Sequence, residues 1–403
     1  MNFETLHIVT AFPRSEQEVT ITPWLVETLR RLKDRRIGVT VLAPSYKGLG
    51  DQTLWGIPVK RFRYFPKRWE DLTHDVATPV KLQQKPHYVI QSGMLVLRSI
   101  SAAKKLALEI RPDIIHVHWP FPFAIPGAAA AKISRAKLVL KFYSAELVFL
   151  KKRAGFLSNL IRKPINKADL ILANSSYTAA LFNQFYPGRE IEVLPEGYFV
   201  PESIDENEGL SKSDPPEILF VGRFVERKGI DVLIRAFELV RKRIESRLVI
   251  VGGGPMENEL RRLVSELGLD GSVEFAIRLP EDELDSRYRK ASVFVLPAIY
   301  DRYGDTEGLG MVLIEALARR TPVVASRAGG IVDIVRDNQT GLLAEPGNPD
   351  ELAVKIIEIL SDSDKARNLA ETGFEYVRKQ FDWDNVIEKL VLKYKRILEN
   401  STR

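Results

Sequence analysis

The sequence has no cysteine among its 403 residues. That absence excludes disulfide bridges, a thiol nucleophile, iron–sulfur clusters and thiolate-based zinc sites. The absence of cysteine agrees with a cytosolic setting, which is our expectation. It agrees with other compartments too. The chain also lacks any stretch of about 18 residues without charge or proline, so no transmembrane helix is expected. No basic residue precedes the first apolar run, LHIVTAF, which is interpreted as a strand and not as a signal peptide.

The composition is that of a globular protein, and the length predicts two Rossmann-sized domains. Apolar residues make up 45% and charged residues 28%, which excludes a disordered or fibrous chain. The net charge of +6 is unevenly spread. Residues 1–200 carry 29 Lys and Arg against 16 Asp and Glu (+13), whereas residues 201–403 carry 30 against 37 (−7). Halves of opposite sign indicate two domains with different partners, and the basic half could face an anionic acceptor or a membrane surface.

Short apolar runs alternate with amphipathic helical stretches in both halves. DIIHVHW precedes GAAAAKISR, for example, and EILFVGR precedes GIDVLIRAFELVRKR. This alternation predicts an α/β fold with parallel sheets covered by helices. Residues 201–216, PESIDENEGLSKSDPP, are polar and acidic and are the expected linker between domains 1–200 and 217–382. The last stretch, 383–403, has apolar residues at helical spacing and is expected to join the first domain.

A loop rich in glycine and positive charge follows the strand EILFVGR. It reads GRFVERKG, from Gly222 to Gly229, and leads into a helical stretch. Backbone N–H groups and the helix dipole favour an anion at such a place. Arg223 and Lys228 add two cations, which suit a diphosphate. An ordinary charged surface loop is the alternative interpretation.

Two more glycine-rich stretches follow. VGGGP places Gly252–Gly254 after a buried strand, where a ligand or another backbone can approach closely, but it lacks the GxGxxG spacing of dinucleotide sites. In GDTEGLGMVLIEALARR, Glu307 lies in a turn and Glu315 inside the next helix. Their carboxylates could accept hydrogen bonds from sugar and ribose hydroxyls. Alternatively, Glu307 caps the helix and Glu315 is solvated, although the apolar neighbours of Glu315 predict a partly buried carboxylate that needs a partner.

These motifs occur in a familiar order. GRFVERKG, VGGGP, the Glu-x7-Glu pair of EGLGMVLIEALA, TPVVAS followed by AGGIVDIV, and TGLLAEPG succeed one another between residues 222 and 347. Together they resemble the retaining nucleotide-sugar glycosyltransferases of family 4, which have the GT-B fold. The resemblance covers residues 217–384 by motif and the first half by its β–α rhythm. It implies two Rossmann-like domains whose parallel sheets face each other across an interdomain cleft.

The resemblance also implies a donor site in the second domain. Arg223 and Lys228 would hold the donor diphosphate, Glu307 would contact the transferred sugar, and Glu315 the ribose. It implies no metal or other cofactor, and no Asp-x-Asp cluster stands at a strand end. Leu309 is a departure, since the family usually has an aromatic residue there. The expected donor-binding residues are Gly222, Arg223, Lys228, Gly253, Glu307, Gly308, Leu309, Gly310, Met311 and Glu315.

The first half departs further from the family's pattern. Members usually carry a glycine-rich loop facing the acceptor after the first strand, whereas AFPRSEQEVT has no glycine. Many also have a His-Gly pair where this chain has Tyr143 and Ser144, so the usual active-site histidine is missing there, while Glu146 matches a common acidic position. The expected acceptor-side residues are Arg14, Ser15, Tyr143 and Glu146, with Glu16 and Gln17 as further polar candidates.

The strand DIIHVHW contains two histidines, which strand alternation places on one face. His118, at the strand end, is expected to reach the cleft and to complete a catalytic set with Glu307, Arg223 and Lys228. Hydrogen-bonded core histidines are the alternative, and more so for His116. A metal site is rejected, because no nearby Asp or Glu other than Asp113 could complete the set of ligands.

Two basic segments suggest partners. Residues 59–72, VKRFRYFPKRWEDL, mix cations and aromatic rings as nucleic-acid-binding segments do, but an acceptor-side loop is the preferred interpretation and no nucleic acid is expected. Residues 147–164, LVFLKKRAGFLSNLIRKP, form a basic amphipathic stretch that could lie on an anionic membrane, making a cytoplasmic protein peripheral on its inner face. A core-facing helix with a solvated basic face is the alternative.

The resemblance thus predicts an enzyme that transfers a sugar, with retention, from a nucleotide diphosphate sugar to a hydroxyl of a glycan, a lipid-linked molecule or a small molecule. In a front-face reaction the departing phosphate takes the acceptor proton, so no strong protein base is required, and this suits Tyr143 in place of histidine. Two alternatives are a sugar phosphorylase on the same scaffold and a nucleotide-sugar-binding protein without catalysis. The base, the sugar and the acceptor are left open.

Overall fold

The computed structural model describes residues 3–18, 20–74, 81, 87–153, 155–201, 212–277, 279–302 and 304–400. Most of the expected linker, residues 202–211, lies outside them. The chain divides into two compact units. The first unit consists of Met1–Gly197 and Val386–Arg403, and the second of Tyr198–Asn385. Each unit is built around one sheet.

The sheet of the first unit has eight strands. They are β1 Glu4–Ile8, β2 Gly38–Pro44, β3 Gln52–Leu54, β4 Ile57–Phe62, β5 Ile114–His118, β6 Lys137–Phe142, β7 Leu170–Ala173 and β8 Glu192–Val193. Their order is β3-β4-β2-β1-β5-β6-β7-β8. All neighbours are parallel except β3 and β4. The helices are α1 Pro23–Asp34, α2 His87–Ile110, α3 Pro120–Ser134, α4 Ala145–Arg153, α5 Ser158–Lys167 and α6 Ser176–Phe185.

The second unit has a six-stranded, wholly parallel sheet. Its strands are β9 Glu217–Arg223, β10 Arg247–Gly253, β11 Val273–Ala276, β12 Val293–Leu296, β13 Val323–Ser326 and β14 Leu342–Ala344, in the order β11-β10-β9-β12-β13-β14. Its helices are α7 Ile230–Arg241, α8 Glu257–Glu266, α9 Glu281–Lys290, α10 Met311–Leu317, α11 Pro349–Ser361 and α12 Ser363–Phe381. The expectation of two parallel-sheet α/β domains is confirmed.

The strands are apolar on both faces because helices cover both faces of each sheet. Every residue of β5 and of β12 is buried. Helix α7 shows the complementary pattern, since it buries a stripe that includes Leu233, Phe237 and Val240. A fully buried side chain of this size contributes about 1.5–3 kcal/mol through removal from water. The two sheets are therefore rigid, and the loops at their carboxyl ends have fixed starting points.

The strand order of the second unit determines where its loops meet. From β9 the chain passes to β10 on one side, and later to β12 on the other side. Open α/β sheets bind ligands at such a reversal, beyond the carboxyl ends of the strands. Contact between the two loops is direct, since a Cβ placed on Gly229 after β9 would lie 2.0 Å from the carbonyl oxygen of Pro297 after β12.

The last helix, α13 Trp383–Glu399, continues from the second unit into the first. In the first unit, Tyr394 is fully buried and its ring packs edge-on against Phe3 at 6.0 Å. Lys393 and Arg396 form ion pairs with Glu192 of β8. The apolar stripe of the helix is therefore buried, as its spacing predicts. Among the described helices, none combines the length and the apolar character needed to cross a membrane.

Candidate donor site and a buried histidine cluster

The loop between β9 and α7 carries the expected cations. Arg223 ends β9 with an exposed side chain. The guanidinium group makes no hydrogen bond or ion pair with the residues that the structure describes. Lys228 ends a single 3-10 turn, Glu226–Lys228, and is buried. Gly229 follows with a φ of 62°, a left-handed conformation that glycine adopts without strain. One cation therefore faces solvent and the other points inward.

Glu307, in the loop after β12, is the partner of Lys228, the cation that points inward. Its carboxylate forms a hydrogen-bonded ion pair with Lys228, and Arg227 Nη1 lies 3.6 Å from the same oxygen. Burial alone would raise the pKa of Glu307, but the charges of Lys228 and Arg227 outweigh burial and hold this pKa below its usual value. Glu307 is therefore ionised at neutral pH. Arg227 was not among the expected site residues, although it stands beside Lys228 in the sequence.

The turn that carries Glu307 is fixed through its backbone. The N–H of Gly330 donates to the carbonyl oxygen of Glu307 at 2.9 Å, and a Cβ placed on Gly329 would lie 2.0 Å from that oxygen. The glycines of the AGGIVDIV motif are thus required for close approach. Gly310, with a φ of 98°, precedes the seven-residue helix α10. Leu309 is buried in the core, so its side chain does not replace the family's aromatic residue in the site.

Glu315 lies on α10 and has a phenolic partner. Tyr288 of α9 donates its hydroxyl to Glu315 Oε2 at 2.9 Å. Burial raises the pKa of Glu315, although the Tyr288 hydrogen bond and the charges of Arg319 and Lys228 act in the opposite direction. No sequence motif pointed to Tyr288, which lies on a helix outside the motifs.

The glycines at the end of β10 line the same edge of the sheet. Gly252 and Gly253 pair in parallel register with Gly222 and Arg223. A Cβ on Gly252 would lie 1.9 Å from the carbonyl oxygen of Gly222, whereas a Cβ on Gly253 would meet nothing within 4 Å. Gly252 therefore serves backbone packing. Gly253 faces open space, and a Cβ placed on Gly222 would lie 3.7 Å from Lys228 Cε.

In the first unit, a buried arginine holds the expected acceptor-side loop. The guanidinium of Arg61 donates to the carbonyl oxygens of residues 12 and 13. Its burial lowers the pKa of Arg61 to about 10. Arg14 pairs with Glu18, and the carbonyl oxygen of Ser15 accepts the N–H of Glu18 at 3.1 Å. Arg14 and Ser15 therefore belong to one half-buried turn, whose contact with an acceptor stays a prediction.

Tyr143 and Glu146 lie together after β6. The N–H of Tyr143 donates to Glu146 Oε1 at 3.0 Å, and Glu146 Oε2 is buried without a hydrogen-bond partner among the described residues. Burial raises the pKa of Glu146 to about 7. The Tyr143 hydroxyl lies 2.7 Å from His118 Nδ1, and burial raises the pKa of this phenol well above its usual value. The residue in place of the family's histidine is thus itself bonded to a histidine.

His118 is buried in a cluster of rings, with 1% of its surface exposed. It stacks on His116 at a centroid distance of 4.2 Å, as expected from strand alternation. A third imidazole, His7 of β1, lies opposite His116 in the parallel register and 5.4 Å from the His118 ring. The rejection of a metal site therefore rested on an incomplete set of neighbours, because His7 comes from another strand. The catalytic role expected of His118 stays a prediction.

The two basic segments differ from their predicted forms. Residues 59–72 are not one loop, since residues 59–62 belong to β4 and Tyr64 is a core residue. In residues 147–164 the apolar side faces the core, because Leu147, Leu150 and Ile161 are fully buried. The exposed side chains include the basic residues Lys151, Lys152, Arg162 and Lys163 and one apolar residue, Leu160, which is 54% exposed. The alternative of a core-facing helix with a solvated basic face therefore describes this segment.

Architecture and site together define the class. Parallel α/β sheets form both units, and the charged residues of the second gather beyond the carboxyl ends of β9 and β12. A glycosyltransferase from Rickettsia africae aligns over 99% of both chains with a TM-score of 0.71 and 18% identity. Sucrose-phosphate synthase from Thermosynechococcus elongatus covers 98% of this chain and 100% of its own, with a TM-score of 0.73 and 20% identity. The fold is the GT-B fold of glycosyltransferases.

Family models match both units. The model for glycosyl transferases group 1 matches residues 202–376, and the model for Glycosyltransferase Family 4 matches residues 24–198. The chain belongs to glycosyltransferase family 4, and the resemblance inferred from its motifs is confirmed.

Curated relatives include mannosyltransferases. A GDP-mannose-dependent alpha-(1-6)-phosphatidylinositol monomannoside mannosyltransferase from Mycolicibacterium smegmatis is 32% identical over 304 residues, which cover 72% of this chain and 78% of that protein. The protein of the same description from Mycobacterium tuberculosis is 34% identical, over 58% of this chain and 63% of its own length. A structural relative, HepE from Anabaena, is known in complex with UDP-glucose; it has a TM-score of 0.66 at 19% identity and covers 98% of this chain and 100% of its own.

Proposed function

We propose that this chain is a retaining glycosyltransferase that moves a sugar from a nucleotide diphosphate sugar to a hydroxyl acceptor. The observation that carries the proposal is the ion pair of Lys228 with Glu307, which joins the loops after β9 and β12 next to the exposed Arg223. Cations bind the diphosphate, and carboxylates accept hydrogen bonds from sugar hydroxyls. Family membership and the motif order support the same assignment.

The charges explain how a diphosphate is accommodated. Without a ligand, Lys228 and Arg227 are balanced by Glu307 and by Asp305, whose carboxylate lies 3.7 Å from Arg227 Nε. Arg223 has no such partner among the described residues, so its charge is available to the ligand. A diphosphate next to Lys228 shares that ammonium with Glu307. The carboxylate is thereby held beside the transferred sugar.

The transfer step balances without a strong protein base. The bond between the anomeric carbon and the diphosphate oxygen breaks, and the acceptor oxygen bonds to the same face of that carbon. The acceptor proton passes to the departing phosphate oxygen, which leaves as the nucleoside diphosphate. Lys228 and Arg223 stabilise the charge that develops there, and one well-placed donor of this kind is worth about 3–4 kcal/mol.

The reaction is proposed to need no metal ion at the diphosphate. Lys228 and Arg223 supply positive charge where other enzymes use a divalent cation. Transfer should therefore continue in the presence of a chelator. Loss of transfer in EDTA and its return with Mg²⁺ or Mn²⁺ would contradict this part of the proposal.

The names of three relatives suggest where to begin with substrates. Their names specify GDP-mannose as donor and a phosphatidylinositol mannoside as acceptor. We therefore propose a hexose donor, with GDP-mannose tested first, and a lipid-linked acceptor. UDP-glucose is the second donor to test, because HepE binds it on the same fold.

The deciding experiment measures transfer from GDP-, UDP- and ADP-hexoses by the wild type and by Lys228→Ala. Lys242→Ala is the matched control, because Lys242 is exposed and pairs with Glu238 on the surface of the second unit. We expect turnover of one donor, a large loss in Lys228→Ala and none in Lys242→Ala. NMR of the product should show the anomeric configuration of the donor. An inverted product, or equal activity in both variants, would contradict the proposal.

Two rival functions are separated by the same assay. A phosphorylase forms sugar 1-phosphate from a disaccharide and inorganic phosphate with no nucleotide present. A binding protein without catalysis shows saturable donor binding and neither transfer nor donor hydrolysis. Either result would replace the proposed transfer.

We further propose a peripheral contact with anionic membranes through residues 147–164. Of the apolar residues, Leu147, Leu150 and Ile161 are buried and Leu160 is exposed, so the contact is mainly electrostatic, at about 1 kcal/mol for each basic residue near the surface. The lipid acceptors in the relatives' names support it. Co-sedimentation with phosphatidylserine vesicles, absent with phosphatidylcholine vesicles and abolished by salt, is expected. Equal binding to both kinds of vesicle, or to neither, would contradict it. The expected cytoplasmic location stays a prediction.

A further inference from the structure

Three imidazoles meet in the interior of the first unit. His7 projects from β1, and His116 and His118 project from the neighbouring strand β5. At most 1% of the surface of each residue is exposed. One ring nitrogen of each lies within 4.8 Å of the corresponding nitrogens of the other two. Facing parallel strands about 4.8 Å apart, with a repeat of two along β5, produce this arrangement.

One ring nitrogen of each imidazole, the outer nitrogen, is hydrogen-bonded to a hydroxyl group. The other ring nitrogen is the inner nitrogen. His7 Nε2 lies 3.1 Å from Thr5 Oγ1, His116 Nδ1 lies 2.5 Å from the Tyr394 hydroxyl, and His118 Nδ1 lies 2.7 Å from the Tyr143 hydroxyl. Such outer hydrogen bonds orient imidazole rings in metal sites and fix their tautomers. All three inner nitrogens are then left facing one another.

One of these tautomers follows from the hydrogen bonds alone. Thr5 donates its hydroxyl hydrogen to the carbonyl oxygen of Gly38 at 2.8 Å. Thr5 Oγ1 must therefore accept the second bond, and His7 Nε2 carries the hydrogen that it donates to Thr5. His7 Nδ1 is then a lone pair, and it points at His118 Nε2 from 3.1 Å.

The inner nitrogen of His116 is an orphan. His116 Nε2 is buried and has no hydrogen-bond partner among the described residues. A buried polar atom without a partner costs about 1–3 kcal/mol, so most such atoms are satisfied by protein or by water. A proton shared between His7 and His118 satisfies those two rings but leaves His116 unsatisfied. A ligand in the centre satisfies all three.

We propose that His7 Nδ1, His116 Nε2 and His118 Nε2 bind one divalent transition-metal ion of the zinc class. Three neutral imidazoles are a ligand set for Zn²⁺, with Zn–N bonds of about 2.0–2.1 Å. In tetrahedral geometry such bonds place two nitrogens about 3.3–3.4 Å apart. The separation of 3.1 Å between His7 Nδ1 and His118 Nε2 is close to that value.

The surroundings tolerate the added charge. The nearby cation Lys141 is paired with Glu196 at 2.8 Å, which offsets its repulsion of the ion. The metal would join β1 to β5 and take no part in sugar transfer. In this proposal the metal occupies His118 Nε2, so the catalytic role expected of His118, which stays a prediction, is its rival.

The test uses the full-length chain without an affinity tag, stripped of metal by a chelator. Titration with Zn²⁺ and with Co²⁺ should show one equivalent bound per chain, and Co²⁺ should give the visible absorption of a four- or five-coordinate ion. On addition of Zn²⁺, NMR should show changes in three of the five histidine rings of the chain. His74 and His87 should be unchanged. Absence of binding, or uniform changes in all five rings, would overturn the proposal.

Variants locate the site. His116→Gln should abolish the one-equivalent binding, and His87→Gln, a histidine outside the cluster, should leave it intact. Tyr394→Phe removes only the outer hydrogen bond and should weaken the metal about 10–100-fold, as second-layer partners do elsewhere. Thermal unfolding with and without Zn²⁺ provides the check on folding, since a bound ligand raises Tm. Equal Zn²⁺ affinity in His116→Gln and in the wild type would contradict the proposal even if both fold.

Discussion

A buried carboxylate with cationic partners in the second unit can be compared with a buried carboxylate that has none in the first unit. In the second unit, Lys228 and Glu307 form a charged pair at the edge of the sheet, and both groups come from loops. In the first unit, Glu146 has no cationic partner among the described residues, and burial raises its pKa to about 7. Burial also lowers the pKa of His7, so both groups are shifted toward their neutral forms. An ion-paired carboxylate and an unpaired one on the same scaffold thus have opposite pKa shifts.

This difference separates a site for a charged ligand from a site for neutral contacts. Paired charges at loop ends can exchange partners with an incoming diphosphate at modest cost, because the charges already exist. Neutral imidazoles in the core have no charge to exchange with a diphosphate. Their lone pairs are suited to binding a metal ion. The following variants test each side of this comparison, beginning with the largest expected effect.

Lys228→Ala should have the largest effect. It removes a donor to the diphosphate. The buried Glu307 carboxylate is left with a more distant cation, Arg227, whose Nη1 lies 3.6 Å away. We expect kcat/KM for the donor to fall about 10²–10³-fold or more. Steady-state transfer kinetics measure this, with Lys242→Ala as the control. A fall of less than tenfold would show that the paired charges do not serve the diphosphate.

Glu146→Gln should alter stability in a pH-dependent way. The pKa of Glu146 is about 7 in the folded state, above its ordinary 4.5, so its contribution to stability is complete below pH 4.5 and is lost as pH rises through about 7. The variant has no such loss. From pH 4 to pH 8, its free energy of unfolding should gain about 3 kcal/mol relative to the wild type. Urea unfolding at both pH values measures this, and an unchanged difference would contradict it.

Glu307→Gln should show the opposite sign. The pKa of Glu307 is below its usual value, so its contribution to stability is present above pH 4.5 and is lost as pH falls through the folded-state pKa. The variant should be less stable than the wild type at pH 7, and the gap should narrow in acid. Urea unfolding at pH 7 and pH 3.5 tests this. A gap that widens in acid would mean that the carboxylate is not ion-paired.

Arg223→Ala should weaken donor binding without affecting folding. Arg223 is exposed and pairs with no described residue, so its removal leaves nothing buried and unpaired. We expect the donor KM to rise about tenfold, the value of one hydrogen bond to a charged group. The melting temperature should stay within error of the wild type. An unchanged KM would place the diphosphate away from this side chain.

Tyr288→Phe should have the smallest effect. It removes the 2.9 Å hydrogen bond to Glu315, worth about 1 kcal/mol, and should raise the donor KM about fivefold. Because that bond lowers the pKa of Glu315, the pH dependence of KM should also move to higher pH. Tyr376→Phe, which loses a bond to the Asp333 carbonyl in the same unit, is the control. If both variants raise KM equally, Tyr288 has only a structural role.

Much of the fold could be predicted from the sequence. Apolar runs such as EILFVGR and VFVL are strands in the structure because both faces of a helix-covered sheet demand apolar side chains. The short edge strands were not predicted. β3 and β8 have three and two residues, and so short a run has no readable period.

The site was predicted where residues lie within one motif and missed where strand order decides. Lys228 and Glu307 belong to motifs of the family, and the structure pairs them. Tyr288 and His7 were missed, because their contacts depend on which helix packs on α10 and which strand borders β5. A doubly wound strand order places β1 beside β5. Such an order is the one signal that could have predicted the contact of His7 with His116.

The central claim is that the edge of the second sheet beside Lys228 binds a nucleoside diphosphate. Calorimetric titration of the wild type, Lys228→Ala and Lys242→Ala with GDP and with UDP tests it most directly. The wild type and Lys242→Ala should bind one equivalent of the preferred nucleotide with equal affinity, and Lys228→Ala should bind it about tenfold to a hundredfold more weakly. Equal affinity in all three proteins, or no binding of either nucleotide by the wild type, would contradict the claim.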